Sequence, residues 1–380
     1  MKSAVFTAKG FSTQSLQKLY SRVQKEFGEA DVLIFAVYPE YDLEEIAQEI
    51  RALFNRDDFV MFHAVEHFND TSIIEKGMSV CCFKFEKNAS VEYFYLQDVE
   101  KESVVKKTAN YLNTHRDDFH MIFSSSCKGN IGTIIEDIAE KLDYSPIDNI
   151  VGGVSSGKII DKELRAFQYI DKHLIKNGFI IVSFKNIDAV VDISLGFRAY
   201  GITYQITKAQ ERRLYTVDEG KSFSYIASKM LSLSDDEESD IRNLWYAPLS
   251  ILSAENGYML TLRTIQKITD DYVEFFAPLK EGDYFKLSFA TPEDLIKTDK
   301  ETAKRVSKKL KQPELSFNFS CIARQYVLED MQEKELEMYV ESFKTGLFGF
   351  FTFGEIGPDK QYKELKFYNE TSLAVVMRER

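Results

Sequence analysis

The sequence predicts an α/β protein of the mixed α+β kind, with duplicated αβ units and mixed sheets in an N-terminal domain, 1–215. A mainly antiparallel α+β domain, 216–380, is expected to follow. Three observations favour this class. The chain has 380 residues, enough to bury two hydrophobic cores. Its first half repeats a strand and helix pattern at a constant spacing, and its second half has short strands separated by turn signals.

The repeat is clearest in the predicted strand 32–37 and the helix after it. Asp42 is an N-cap residue type, and Glu45 follows three residues later. The apolar stripe of this helix consists of Leu43, Ile46, Ala47, Ile50 and Phe54. An offset of 88 residues carries Asp42 onto Asn130. It carries the stripe onto Ile131, Ile134, Ile135, Ile138 and Leu142.

The same offset relates two edge strands, near 5–6 and 93–94, and the helices after them. We therefore expect two units, about 1–88 and 89–202, each with the order strand, helix, strand, helix, two strands. The second unit has an insertion after Ser156 and a further strand near 189–197. The alternative is two unrelated strand and helix units, because amphipathic helices often resemble each other by chance.

The second half is expected to have a different pattern. The polar stretch 203–223 is interpreted as an inter-domain connection, and the acidic run 235–240 as a solvated loop or helix start. Strands are predicted near 258–264, 271–277, 283–289, 315–321, 347–353 and 366–377. Helices are predicted at 292–310, where Pro292 suits a first turn, and at 331–343.

The strand 347–353 is apolar on both faces, which is typical of a strand buried on both sides. Glu355 follows it, just before the turn formers Gly357 and Pro358. One interpretation is a core strand that ends in a solvated glutamate. The other is the wall of a binding pocket, because such pockets are mostly apolar with a few placed polar groups.

Composition excludes several classes of function. The net charge of −12 and the pI of about 5.1 argue against nucleic acid and against an anionic membrane surface. The first residues do not resemble a signal peptide, and no stretch approaches about 18 consecutive apolar residues. The four cysteines lack a CxxC spacing, which indicates free thiols in a reducing compartment. We expect an acidic cytoplasmic protein.

Several histidine, cysteine and arginine residues are candidates for a functional role, and each also has a structural explanation. His63 and His67 have a spacing that pairs metal ligands only on a helix, and they fall at a strand end, so no metal site is predicted. Cys321 near Arg324 is interpreted as a buried structural cysteine rather than a nucleophile. Arg198, between two glycines, is expected either to bind a ligand carboxylate or to form an ion pair within the fold.

A strand that ends in a glycine and serine turn contains Gly152, Gly153 and Ser155. Free backbone N–H groups in such a turn would hold an anion. The stretch lacks the spacings of nucleotide-binding loops, so a nucleotide site is not predicted.

At these motifs the chain resembles the FIST family, named for F-box and intracellular signal transduction proteins, over about residues 30–376. The carriers of the resemblance are 151–153, 196–198 with Gly201 and 207–208, 320–324, 349–355 and 369–371. The run 349–355 is the most specific of them. The chain departs from the family pattern at Leu195 and Tyr368, where the family often has histidine, at Ala323, and in the run 63–67.

The resemblance implies a cytoplasmic sensory module that binds a small ligand such as an amino acid. It implies a signalling partner, such as a histidine kinase or a cyclic-dinucleotide enzyme. Some family members are haem proteins that sense nitric oxide, and the missing histidines weaken that reading. No cofactor is therefore predicted.

The leading hypothesis is a small-ligand sensor in signal transduction that performs no catalysis. An arginine for a carboxylate and a glutamate for an ammonium group would suit an amino-acid ligand. The candidate ligand-binding residues are Gly152, Gly153, Ser155, Arg198, Cys321, Arg324, Thr352, Glu355 and Asn369. We expect Arg324 and Glu355 in one cleft, with Arg198 at its edge. The alternatives are a haem-based nitric oxide sensor and a cysteine-dependent enzyme that uses Cys321.

Overall fold

The computed structural model describes residues 1–97, 101–146, 148–230, 241–361 and 363–380. The acidic run 235–240, which the sequence suggests is a solvated loop or helix start, lies outside the described residues. Most strands and helices of the described part belong to three units that have the same order of elements.

The first unit confirms the predicted strand, cap and helix. Asp42 accepts hydrogen bonds from the backbone N–H groups of Glu44 and Glu45 at 2.8 and 3.1 Å, so it caps the second helix. The buried side chains of that helix are those of the predicted stripe, except Phe54, which is half-buried. The elements of this unit are β1 (Lys2–Lys9), α1 (Thr13–Phe27), β2 (Val32–Val37), α2 (Leu43–Phe54), β3 (Val60–His63), β4 (Glu66–Asn69), β5 (Ser72–Glu75) and β6 (Gly77–Lys84).

The second unit repeats this order and adds one hairpin, β10-β11. Asn130 stands just before its second helix, but its side chain makes no capping hydrogen bond in the described structure. Leu142 lies beyond the end of that helix. The elements are β7 (Ser90–Gln97), α3 (Lys101–Thr114), β8 (Phe119–Ser124), α4 (Ile131–Ala139), β9 (Ile150–Val154), β10 (Lys158–Ile160), β11 (Glu163–Arg165), β12 (Gln168–Ile170), β13 (His173–Ile175) and β14 (Gly178–Lys185).

The third unit begins with β15 (Ile187–Ser194) and is then interrupted by an inserted segment, 195–291. The segment contains β16 (Arg198–Gln210), β17 (Arg213–Val217), β18 (Lys221–Ser222), α5 (Phe223–Met230), β19 (Leu249–Leu252), β20 (Met259–Arg263), β21 (Ile265–Ile268), β22 (Val273–Phe275) and β23 (Tyr284–Phe289). The unit resumes with α6 (Pro292–Lys309), β24 (Leu315–Cys321), α7 (Ile322–Leu328), α8 (Gln332–Phe343), β25 (Leu347–Thr352), β26 (Glu355–Asp359), β27 (Glu364–Tyr368) and β28 (Ser372–Glu379).

Each unit builds the first four strands of a six-stranded sheet, in the same order within the described residues. These orders are β1-β6-β2-β3, β7-β14-β8-β9 and β15-β28-β24-β25. In each sheet the last two of these strands are parallel and the other pairs are antiparallel. The common order of the first two sheets supports the duplication that the offset of 88 suggests. The third sheet corrects the expectation that the second half has a different pattern.

Each sheet is completed by a hairpin from another unit. The hairpin β12-β13 of the second unit pairs with β3, β26-β27 of the third pairs with β9, and β4-β5 of the first pairs with β25. The exchange is cyclic, so the three sheets hold one another in place. Strands from both sides of residue 215 share two of these sheets, while the division into domains at that residue stays a prediction.

The inner faces of the three sheets meet in one hydrophobic core. Its centre is aromatic. The ring of Phe62, on β3, lies 4.8 Å from that of Phe123 on β8 and 4.4 Å from that of Phe350 on β25. Such centroid distances are typical of packed aromatic pairs, so each sheet contributes directly to the same core. The class of mixed α+β protein with mixed sheets is confirmed.

Three predictions for the second half are wrong. The stretch 203–223 is not a connection, because most of it forms the antiparallel pair β16 and β17. Gly357 and Pro358 do not form a turn, because they lie within β26. The single strand expected at 366–377 is two strands, β27 and β28. In the first two cases tertiary pairing overrides the local polarity or turn propensity from which the prediction was made. In the third, the chain passes from the sheet of β26 and β27 into the sheet of β24 and β28.

Candidate functional site

The motif segments meet where the parallel strands β24 and β25 end. Cys321, the last residue of β24, donates its backbone N–H to the carbonyl oxygen of Thr371 at 2.9 Å. Glu355 lies directly opposite Gly153 in the pairing of β26 with β9. A methyl group placed on Gly196 would lie 3.6 Å from a nitrogen of Arg324. Segments far apart in sequence thus surround one region. We call this region, which contains the buried side chains of Arg324, Glu355 and Glu370, the buried centre.

Arg324 is the cation of the buried centre. Its Nη2 lies 2.6 Å from Oδ2 of Asp299, on α6, and 3.3 Å from Oε1 of Glu335, on α8. All three side chains are fully buried. Burial raises the pKa of Asp299, whereas the charge of Arg324 works in the opposite direction. Two carboxylates on two helices therefore hold the guanidinium in place.

Glu355 and Glu370 are the two further carboxyl groups of the buried centre. Thr371 Oγ1 donates to Glu355 Oε2 at 2.7 Å, and Thr352 Oγ1 donates to Glu355 Oε1. Thr264 Oγ1 donates to Glu370 Oε1 at 2.8 Å. Burial raises the pKa of each carboxyl group to about 8, although these hydrogen bonds and the charge of Arg324 act against it. Both groups are therefore mostly protonated at neutral pH.

Several polar atoms of the buried centre lack a hydrogen-bond partner among the described residues. They are Arg324 Nε and Nη1, Asn318 Oδ1, Asn369 Oδ1 and Glu370 Oε2. Buried polar atoms are nearly always satisfied in folded proteins, so a group of them calls for a water or a small polar guest. Unpaired donors and unpaired acceptors are both present, so a bound small molecule can both accept and donate hydrogen bonds there.

The glycine and serine stretch does not form the expected anion site. Gly152 and Gly153 lie inside β9, paired with β8 on one side and β26 on the other. A methyl group on Gly153 would lie only 2.6 Å from Thr352 Cγ2, so the position needs a glycine for close approach. Ser155 donates its backbone N–H to Ser124 O at 2.8 Å. The stretch is a packing surface beside Glu355 rather than a turn with free N–H groups.

Arg198 is not at the edge of a cleft with Arg324. Its side chain is 63% exposed and pairs with Asp294 at the start of α6. The ion pair within the fold, one of the two alternatives for this residue, is the one observed. Arg324 and Glu355 are close enough for the charge of Arg324 to lower the pKa of Glu355. Both side chains are fully buried, so they do not line the open cleft that the sequence suggests.

Cys321 is 3% exposed. Burial raises its pKa well above the ordinary value, and the charges of Glu355 and Glu370 raise it further. Reactive cysteines need the opposite, an electropositive and partly exposed position that stabilises the thiolate. Cys321 is buried, as expected for a structural thiol, and its environment disfavours it as a nucleophile.

His63 and His67 are not placed as a pair of metal ligands. His63 accepts a hydrogen bond from the backbone N–H of Phe167, and its other ring nitrogen lies 3.1 Å from Tyr41 O. His67 has no partner for either ring nitrogen within the described part of the chain, but it is fully buried. Burial lowers its pKa to about 3. The two residues lie on β3 and β4, in different sheets, so their spacing does not make a pair of ligands.

Sequence reasoning missed Asp299, Glu335 and Glu370. A signal for the first was available, because Asp299 interrupts the buried stripe of α6 between Leu295 and Thr302. A charged residue on the apolar face of a helix is rarely buried without a partner. Glu370 belongs to the motif segment 369–371, of which only Asn369 is predicted to bind a ligand.

Comparisons with known proteins agree with the motifs. The family model described as the FIST N domain matches residues 30–220, and that of the FIST C domain matches residues 225–358. An uncharacterized protein of Aquifex aeolicus (strain VF5) is 29% identical over 269 residues, which are 68% of this chain and 97% of that protein. Among the described residues, none of the helices has the length and apolar character that a membrane span requires.

Proposed function

The chain belongs to the FIST family, and from that premise we propose that it is a cytoplasmic small-ligand sensor that signals through a partner protein. FIST domains are sensor domains of signal transduction. The family thus points to sensing rather than catalysis, and the environment of Cys321 agrees with that choice. Four buried cysteines, all free thiols, suit a reducing cytoplasm.

The observation that carries the proposal is the convergence of the family motifs on the buried centre. Motif residues Cys321, Arg324, Thr352, Glu355 and Asn369 all line it or adjoin it, and all are buried. Unpaired donors on Arg324 and unpaired acceptors on Asn369 are what a small ligand with a carboxylate and an ammonium group would use. An amino acid or a similar metabolite has this chemistry.

A buried recognition site suits a sensor. The ligand can reach Arg324 and Glu355 only if the surrounding elements separate and close again. A ligand shifts such an equilibrium by its difference in affinity for the two states. The partner, a signalling protein such as a histidine kinase or a cyclic-dinucleotide enzyme, would distinguish the two states.

The test is a thermal-shift screen of the purified protein against amino acids and related metabolites. A ligand that binds only the native state stabilises it by about 2.7 kcal/mol at 100 times its dissociation constant. The same ligand should bind Glu355→Gln at least about tenfold more weakly, because its ammonium group would lower the pKa of Glu355 and form a charge-assisted hydrogen bond that glutamine cannot form. Glu301→Gln, on the exposed face of α6, is the matched control and should bind normally. If no metabolite stabilises the protein, the proposal fails.

A further inference from the structure

The buried centre holds more carboxyl groups than cations. The carboxyl groups that interact with Arg324 are those of Asp299, Glu335, Glu355 and Glu370, and all of them are fully buried. In the described part of the chain, the ion pairs of this centre all belong to Arg324. A buried carboxylate without a cation is costly, so such a group takes up a proton instead. The folded centre therefore binds protons.

The other titratable groups next to these carboxyl groups keep their protons. Tyr339, on α8, has its hydroxyl 3.5 Å from Asp299 Oδ1, and Cys321 ends β24. Burial raises the pKa of Tyr339 and of Cys321 well above their ordinary values, and the nearby carboxylates raise them further. The groups of the centre that change charge between pH 6 and pH 9 are therefore carboxyl groups.

Glu370 lies where the inserted segment meets the buried centre. Its Oε1 accepts a hydrogen bond from Thr264 of that segment at 2.8 Å, whereas its Oε2 has no hydrogen-bond partner among the described residues. Loss of the proton would leave a negative charge on a carboxylate that lacks one of its donors, and water would relieve that cost. Thr264 is 2% exposed, so water reaches Glu370 only if the inserted segment moves away.

The inserted segment also contacts α7, the helix that carries Arg324. The ring centroid of Trp245 lies 5.0 Å from that of Tyr326, and the Tyr246 hydroxyl donates to Tyr326 O at 3.0 Å. Tyr326 follows Arg324 closely on this short helix. The segment therefore bridges Glu370 and the helix of Arg324. A small apolar cluster adds to the contact and consists of Phe197, Leu262, Leu295, Val327 and Leu328.

We propose that the buried centre is a proton-binding site that controls the contact of the inserted segment with α7. While Glu355 and Glu370 hold their protons, the segment stays docked on α7. When they lose them, the segment separates and admits water to Glu370, so the chain responds to alkaline pH. This response goes beyond the proposed binding of a small ligand and does not depend on it.

The direction of the response follows from the burial of Glu370. Its pKa is about 8 in the docked state, against an ordinary value of 4.5, so the docked state binds the proton more tightly. A rise in pH therefore favours the separated state. When the released carboxyl group regains its ordinary pKa, the ratio of separated to docked molecules rises about 50-fold between pH 6 and pH 8 through Glu370 alone.

Trp245 is the single tryptophan of the chain, so its fluorescence reports the contact with α7. The experiment is acrylamide quenching of the full chain from pH 6 to pH 9, with far-UV circular dichroism of the same samples. We expect the quenching constant of the native protein to rise at least about twofold, with a midpoint near pH 8, while the circular dichroism stays constant.

The double variant Glu355→Gln with Glu370→Gln carries neutral amides at every pH. It should keep the quenching constant that the native protein has at pH 6. Glu337→Gln, at an exposed glutamate of α8, is the matched control and should follow the native curve. If the double variant does not fold, Glu370→Gln alone should reduce the change by about half, because one of the two carboxyl groups still titrates.

The inference is overturned if native quenching is constant from pH 6 to pH 9, or if the amide variants follow the native curve. It is also overturned if Trp245 becomes accessible only as the circular dichroism is lost, because that result means global unfolding. None of these outcomes affects the proposed small-ligand function, which the thermal-shift screen tests at a single pH. Failure of that screen, in turn, leaves the response to protons standing.

Discussion

Raising the pH from 6 to 8 should destabilise this protein, and Glu355 should account for a measurable part of the loss. Burial holds the pKa of Glu355 at about 8 in the folded protein, against an ordinary value of 4.5. A folded pKa above the unfolded one means that the folded state binds the proton more tightly. The stabilisation is fully present below pH 4.5 and is lost as the pH rises through about 8.

The magnitude follows from the width of that window. A rise from 4.5 to about 8 corresponds to about 5 kcal/mol of differential protonation free energy. Between pH 6 and pH 8 the share of Glu355 is about 2 kcal/mol. Glu370 titrates in the same range and interacts with Glu355, so the pair loses its protons in two coupled steps. The native protein should therefore lose more than either group alone would remove.

The assay is urea unfolding of the native protein, Glu355→Gln and the control Glu301→Gln at pH 6, 7 and 8. At pH 6 the amide should cost about 1 kcal/mol. Its oxygen can take the place of Oε2 and accept from Thr371, but its NH₂ group then faces Thr352 Oγ1 and cannot accept the hydrogen bond that Oε1 accepts in the native protein. The variant should then lose roughly half as much stability with pH as the native protein, so the two should be equally stable near pH 7 and the variant about 1 kcal/mol more stable at pH 8. The difference between the two proteins reports Glu355 together with its effect on the pKa of Glu370. A native protein whose stability is flat or rising over this range, or a variant with an unchanged slope, would refute the reasoning.

Three further changes have defined outcomes in urea unfolding. Arg324→Met should cost about 3–5 kcal/mol, because it leaves two buried carboxylates without their cation, whereas Arg305→Met, at a half-exposed pair, should cost under about 1 kcal/mol. Glu379→Gln should make stability less dependent on pH in the acid range. Burial raises the pKa of Glu379, but backbone N–H donors outweigh it and hold the pKa at about 2. The native protein should therefore lose about 3 kcal/mol as the pH falls from 4.5 to 2. Gly153→Ala should cost about 1–3 kcal/mol by overpacking, whereas Gly346→Ala, with its nearest atom at 3.8 Å, should cost less than Gly153→Ala.

Local sequence patterns predicted the first two units well because the features that define their elements lie within short stretches of the sequence. The cap at Asp42, its apolar stripe and the preceding strand are all short-range features, and all three are confirmed. The buried strand before Glu355 was predictable for the same reason. The strand β16 pairs both with the neighbouring β17 and with β23, which lies far along the chain, and the second of these partners leaves no local signal.

The sequence predicted which motif residues lie near the buried centre better than it predicted their burial and charge pairing. The motif residues Arg324 and Glu355 do come together, but their burial depends on α6 and α8, whose carboxylates are more than ten residues from either motif. Arg198 belongs to the motif segment that precedes the segment of Arg324, yet its side chain forms an ion pair with Asp294. Charge pairing across helices is a tertiary property, so the sequence pattern could not distinguish a ligand-binding arginine from a paired one.

The third unit escaped the search for repeats because the inserted segment breaks its offset. The strand β7 begins at Ser90 and its counterpart β15 at Ile187, 97 residues on, whereas β8 begins at Phe119 and β24 at Leu315, 196 residues on. The break falls between β15 and α6, beside the buried centre, because a methyl group placed on Gly196 would lie 3.6 Å from Arg324 Nη1. The inserted segment also forms one wall of a cavity of about 200 Å³ that Arg263 and Phe367 line. A movement of this segment relative to the three sheets would therefore change the surroundings of both the cavity and Arg324, which is the coupling that the proposed sensor requires.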